Sequence, residues 1–224
     1  MSFSKTLKQK AGQVWEDGFM HPFVQELGKG TLAKDKFAFY LVQDYLYLLQ
    51  YAKVFALAAV KAPNEELLAK LTDVQHNILH TEMDMHRAYM ASYGITKAQV
   101  QTAQASLFNR TYTANMLAVG GTGDLAEILA AVFPCAWTYA DYASRLKEIF
   151  KDAYVHNPYK SWMDMYADPS FGATYEWFFD AIDALCVKKT EAERKKVEDI
   201  FTSSVEFEYL FWDMAYKKEL SYTR

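Results

Sequence analysis

Apolar residues recur along most of the chain at steps of three and four, the repeat of one α-helical face, and runs that alternate residue by residue like a half-buried strand are absent. Phe3, Leu7, Ala11, Val14 and Trp15 mark a first amphipathic helix over residues 4–17. His21-Pro22-Phe23 follows, with a short helix that Gly28-Lys29-Gly30 ends. A long helix is expected over 34–60, closed by Lys61-Ala62-Pro63. Asn64 caps the next, Glu65 and Glu66 suit its positive dipole end, and the pattern runs to Tyr93 before Gly94 stops it.

A shorter helix at 97–105 precedes one over 107–119, which Gly120-Gly121-Thr122-Gly123 breaks. The central helix covers 124–151, Val155-His156-Asn157-Pro158 is a turn, and a short helix takes 159–166. Asp168-Pro169-Ser170 starts another turn, then helices run over 171–187 and 191–218. No linker, repeat or low-complexity stretch divides the pattern. It predicts an all-α bundle of about eight helices forming a single domain over 1–224.

Composition narrows the partners. The 24 basic and 28 acidic residues give a net charge of -4 with no basic run, so nucleic acid and anionic membrane surfaces are not expected. Two cysteines without a cysteine framework point to a reduced, intracellular protein. Residues 1–10 hold three lysines and no apolar h-region, and no apolar run approaches the roughly 20 residues that span a bilayer, so cytoplasm is the expected location. The 16 tyrosines carry hydroxyls into whatever they line. Such an interior suits a flat, polar-edged ligand or a large subunit interface.

Three segments carry candidate chemistry. Pro134 sits inside the central helix, where its ring should kink the backbone and leave the Ala130 carbonyl short of a partner. Cys135 follows it, and Tyr139 and Tyr142, four and seven residues on, share its face. The thiol is either a small buried hydrophobe beside core tyrosines or a nucleophile. Asp44 has Tyr40, Leu41, Tyr47, Leu48 and Tyr51 as helical neighbours, and Glu208 shares a face with Phe201, Val205, Phe211, Trp212 and Ala215. Inward carboxylates are costly unless paired. Each either accepts hydrogen bonds from tyrosines and fixes register, or serves a cavity that collects Asp44, Glu208, Cys135 and tyrosines for acid, base and nucleophile work.

The histidines give a weak metal signal. His76 and His80 are four apart and Glu82 precedes His86 by four, yet neither the His-Glu-x-x-His pattern nor paired Glu-x-x-His motifs occur. His80 is expected to be solvated and His86 to be a satisfied core histidine.

The chain resembles the TenA family of thiaminase II (aminopyrimidine aminohydrolase) enzymes from end to end. The resemblance rests on His21-Pro22-Phe23, Gln43-Asp44-Tyr45, Arg110-Thr111-Tyr112-Thr113 and Pro134-Cys135-x-Trp137-x-Tyr139. It extends through His156-Asn157-Pro158-Tyr159 with Trp162 and Tyr166, and Thr202-Ser203-Ser204 leading to Glu208-Tyr209-x-Phe211-Trp212-Asp213. It implies a heme-oxygenase-like multi-helix bundle, a homotetramer, no metal or organic cofactor, and a pocket for the pyrimidine of thiamin or its breakdown products. By the same resemblance Cys135 is the nucleophile, Glu208 handles a ring-nitrogen proton and Asp44 holds the 4-amino edge. Tyr47 and Tyr112 sandwich the ring, while Tyr139 and Tyr166 supply hydroxyls. The expected outcome is hydroxymethyl pyrimidine, with ammonia or thiazole leaving. Two other classes stay open: a metal or haem enzyme with His21 and His86 as ligands, and a non-catalytic binding or regulatory protein. The catalytic reading requires three distant helices to aim the thiol and both carboxylates into one chamber.

Overall fold

A computed structural model describes residues 2–221, and every regular element among them is helical. In chain order these are α1 (Phe3–Ala11), α2 (Gln13–Met20), α3 (Pro22–Lys29), α4 (Lys34–Val60), α5 (Glu65–Asn77), α6 (Met83–Ser92) and α7 (Lys97–Thr102). Then come α8 (Leu107–Thr122), α9 (Leu125–Ile149), α10 (Lys151–Tyr154), α11 (Lys160–Tyr166), α12 (Pro169–Tyr175), α13 (Trp177–Cys186) and α14 (Glu191–Lys217). A π turn, Ile78–Glu82, joins α5 to α6. The residues form two compact units, one from residues up to 32 together with 129–213, the other from 33–128 together with those from 214 onward.

In the first unit, the helix expected over 4–17 is two. Gly12 adopts φ +51°, which side-chain-bearing residues rarely take, and there the chain leaves α1 and starts α2. The indole of Trp15 on α2 donates to Asp141 at 2.8 Å, and the Tyr142 hydroxyl donates to the Trp15 carbonyl at 2.6 Å, locking α2 onto α9. Helix α9 runs on through Pro134, and Thr138 one turn later donates its hydroxyl to the Pro134 carbonyl at 2.8 Å. The expected 171–187 helix is also two, α12 capped by Asp168 with Pro169 in its first turn, and α13. Phe133, Trp137, Phe178, Phe179 and Phe201 form the aromatic core between α9, α13 and α14.

In the second unit, α4 has the bounds its periodicity predicts. Gly120 and Gly121 do not break α8, which continues to Thr122. A Cβ on Gly120 would stand 2.9 Å from the Leu57 side chain, so the missing side chain lets α8 lie close on α4. Lys61, just past α4, donates to the carbonyls of Gly120 and Gly121 at 2.8 and 3.3 Å and also to that of Gly123, satisfying the end of α8.

Candidate functional site

The first unit carries Cys135, Tyr139, Tyr166 and Glu208. Cys135 on α9 is half-buried and not in a disulfide. One turn on, the Tyr139 ring meets Tyr166 and Trp212 at centroid distances of 4.8 and 4.9 Å, and Trp162 at 5.6 Å. This four-ring wall brings together residues of α9, α11 and α14. Helix α11 is held in place by Asn157, whose amide donates to the carbonyls of Leu27 and Gly28 at 3.0 and 2.8 Å while its oxygen accepts from Tyr159 N–H at 2.8 Å. The His156-Asn157-Pro158-Tyr159 motif is therefore a tie between α3 and α11. Tyr142, expected on the Cys135 face, is committed to the Trp15 carbonyl.

Glu208 on α14 is 2% exposed among Phe201, Val205, Phe211 and Trp212. Its charge reaches the Tyr142 phenol, whose pKa burial, Glu208 and Asp141 push well above the usual range, so that this hydroxyl stays a donor. Ser204, one turn before Glu208, has a buried hydroxyl with no hydrogen-bond partner.

The second unit carries Asp44, Tyr47 and Tyr112. Asp44 is 4% exposed on α4; its Oδ2 accepts from the Tyr40 hydroxyl at 3.1 Å and lies 3.2 Å from His86 Nε2. Tyr47 meets Tyr51 at 5.4 Å and Tyr112 of α8 at 5.2 Å, with a tilt of 39° to Tyr112 and hydroxyl oxygens 3.5 Å apart. Those two rings touch each other. A third ring between them needs two stacking separations of about 3.5 Å each, so one tyrosine must swing aside to admit it. Register between α4 and α8 is set by Gln43: its Oε1 accepts from Ser106 N–H at 2.8 Å, and its carbonyl accepts from the Asn109 amide at 2.7 Å.

Two histidines change standing. His21 is the N-cap of α3, its Nδ1 accepting from Phe23 N–H at 3.1 Å and its Nε2 lying 3.6 Å from Asp213. That employment orients both ring nitrogens within the fold. His86 is buried as expected but is not satisfied, since neither ring nitrogen has a hydrogen-bond partner. Burial lowers its pKa to about 4. Sequence reasoning placed His86 inside the fold without linking it to Asp44, 42 positions away. Among the described residues no group of three or more His, Cys, Asp and Glu side chains is arranged to hold a metal, and no helix is long and apolar enough to cross a membrane.

The TENA/THI-4/PQQC family model matches residues 8–218. A Helicobacter pylori protein named aminopyrimidine aminohydrolase is 42% identical over 217 residues, 97% of this chain and 100% of its own. A TenA homologue from P. horikoshii OT3 superposes with a TM-score of 0.87 at 28% identity, covering 97% of this chain and 99% of that one. A domain with a heme oxygenase-like fold from Shewanella denitrificans OS217 gives 0.77 at 18% identity, covering 96% and 92%; that likeness is one of fold. The architecture is all-α and heme-oxygenase-like, and the chain belongs to the TENA/THI-4/PQQC family.

Proposed function

We propose that this protein is an aminopyrimidine aminohydrolase of the thiaminase II type. It converts 4-amino-5-aminomethyl-2-methylpyrimidine to hydroxymethyl pyrimidine and ammonia, and hydrolyses thiamin to the same pyrimidine and its thiazole. The observation that carries the reading is Asp44, a buried carboxylate set one turn from the Tyr47–Tyr112 ring pair. A flat aminopyrimidine needs an acceptor at its amino edge and aromatic surface on its faces. Similarity to an aminopyrimidine aminohydrolase along nearly the whole chain supports it.

In this reading Asp44 holds the amino edge and Tyr47 and Tyr112 part to clamp the ring, while Tyr139 and Tyr166 offer hydroxyls. Glu208 protonates a ring nitrogen as the Cys135 thiolate adds to a ring carbon, forming the C–S bond. The adduct's electron pair then expels the group on the 5-methylene carbon, the protonated amino group leaving as ammonia or the thiazolium as neutral thiazole. Water adds at that carbon and gives a proton to the Glu208 carboxylate, and as the C–S bond breaks the ring-nitrogen proton passes to the sulfur, releasing hydroxymethyl pyrimidine and the thiol. The reaction balances as a hydrolysis and calls for no redox partner. The active form is proposed to be a homotetramer located in the cytoplasm, and light scattering at four times the chain mass would support the assembly.

The test is ammonia release from the aminomethyl pyrimidine. Cys135→Ser should lower turnover by about 10³-fold or more while still binding hydroxymethyl pyrimidine. Glu208→Gln should lower it by about 10²- to 10⁴-fold. Equal rates in wild type and Cys135→Ser would remove the thiol from the mechanism.

A further inference from the structure

The π turn between α5 and α6 shifts the helical register inside the run that ends before Gly94, and His86 is the polar side chain that the shifted register buries. Leu71 and Ile78 face inward before the turn, and Met83, His86 and Met90 after it. A regular α-helix continued from Ile78 would turn Glu82, Met85 and Tyr89 inward instead. The π turn absorbs one extra residue, so the inward stripe advances by five between Ile78 and Met83. Such turns are rare, sit mostly inside longer helices and are frequent at functional sites.

What this register delivers is a buried imidazole with no hydrogen-bond partner on either nitrogen. A buried polar group left in that state is costly. Its Nε2 stands 3.2 Å from Oδ2 of Asp44, close enough to pair yet off the line of a hydrogen bond. The same Oδ2 already accepts from the Tyr40 hydroxyl at 3.1 Å. A hydroxyl of α4 that donates and an imidazole nitrogen of α6 that lies close without donating thus face one oxygen of the carboxylate.

We propose that His86 is a positioning residue for Asp44: its Nε2–H, with the Tyr40 hydroxyl, brackets Oδ2 and so turns Oδ1 toward the amino edge of a bound pyrimidine. A small rotation of the carboxylate as it takes up the ligand brings Oδ2 into line with Nε2–H, so that Nε2 gains its partner in the complex. The proposal rests on the function proposed above. Burial holds the ring down to about 4, so near neutral pH it carries a single proton. The side facing a carboxylate is where that proton is most stabilised.

The experiment compares the full-length wild type with His86→Leu and His86→Gln, the second keeping an amide N–H near the position of Nε2. With the aminomethyl pyrimidine as substrate, His86→Leu should raise KM about tenfold with kcat within about threefold, and His86→Gln should recover most of the loss. Imidazole ¹⁵N shifts of the wild type should show the Nε2–H tautomer. Unchanged kinetics in His86→Leu overturn the proposal, as does an Nδ1–H tautomer. Equal impairment of both variants at matched melting temperature also overturns it, because a space-filling role predicts that result. Wild-type turnover tests the function and the ratio of variant to wild type tests His86, so the two fail separately; a wild type that neither turns over nor binds the pyrimidine removes both.

Discussion

The contact between Gly18 and Tyr142 makes a sharp test of how α2 is held on α9. A Cβ at Gly18 would lie 2.5 Å from the Tyr142 hydroxyl oxygen but 3.4 and 3.6 Å from the ring carbons Cζ and Cε2. Only the oxygen is in the way. It is not easily moved, because it donates to the Trp15 carbonyl at 2.6 Å and its ring packs against Trp15 and Phe19 at 6.1 and 5.7 Å. Gly18→Ala should therefore displace a buried hydrogen bond, at about 1–3 kcal/mol, and overpack the site by about another 1–3 kcal/mol. Better helix propensity returns about 1 kcal/mol, leaving a destabilisation of about 3 kcal/mol. Tyr142→Phe removes the offending atom and should cost about 1–2 kcal/mol on its own. In that background Gly18→Ala meets only ordinary contacts and should be neutral or stabilising by up to about 1 kcal/mol. Urea unfolding of the four proteins closes the double-mutant cycle. If Gly18→Ala costs the same in both backgrounds, to within about 0.5 kcal/mol, the hydroxyl is not the reason for the glycine.

Two further outcomes follow from buried groups. With the folded His86 pKa lowered from 6.5 to about 4, the unfolded chain takes up a proton between those values that the folded chain refuses. Stability is then untouched above about pH 6.5 and falls as pH drops toward 4, by about 3 kcal/mol in all. The loss of unfolding free energy from pH 7 to pH 4 should be smaller by that amount in His86→Gln, and equal losses would refute it. Asn157→Ala removes the amide that binds the Leu27 and Gly28 carbonyls and should cost about 2–3 kcal/mol in urea unfolding. A change under about 0.5 kcal/mol would show that α11 is held by something else.

Glycine explains much of what the chain's pattern hides. Gly12 lies inside an expected helix and Gly120 opens a cluster expected to break one, yet Gly12 ends a helix by taking φ +51° while Gly120 stays helical and admits Leu57. One is needed for its backbone freedom and the other for its absent Cβ, and only the packing partner distinguishes them. Helix α4 was legible to the residue because local signals mark its end and every inward position agrees with one period.

The candidate site divides along the same line between local and distant causes. Burial of Asp44 and Glu208 could be read from their neighbours three and four residues away, and it is observed. That Tyr47 and Tyr112 act as a pair came from the family resemblance, which sets them on either side of a ligand ring, since nothing local joins residues 65 positions apart; their direct contact is seen only in the structure. Several motif residues turn out to be ties: Gln43 sets the register of α8, Asn157 holds α11, and His21 caps α3. Gln43 and Asn157 each order a helix that carries a candidate residue, Tyr112 on α8 and Tyr166 on α11, which is reason enough for them to accompany the site. Asp44 and His86 are the instructive pair. An inward carboxylate and an inward imidazole are each unfavourable alone, so one bundle that buries both has reason to bring them together. What the sequence lacked was the register of α6 relative to α5, because the five-residue step from Ile78 to Met83 belongs to neither a helical nor a strand repeat. Once the π turn supplies that step, His86 points where Asp44 already waits.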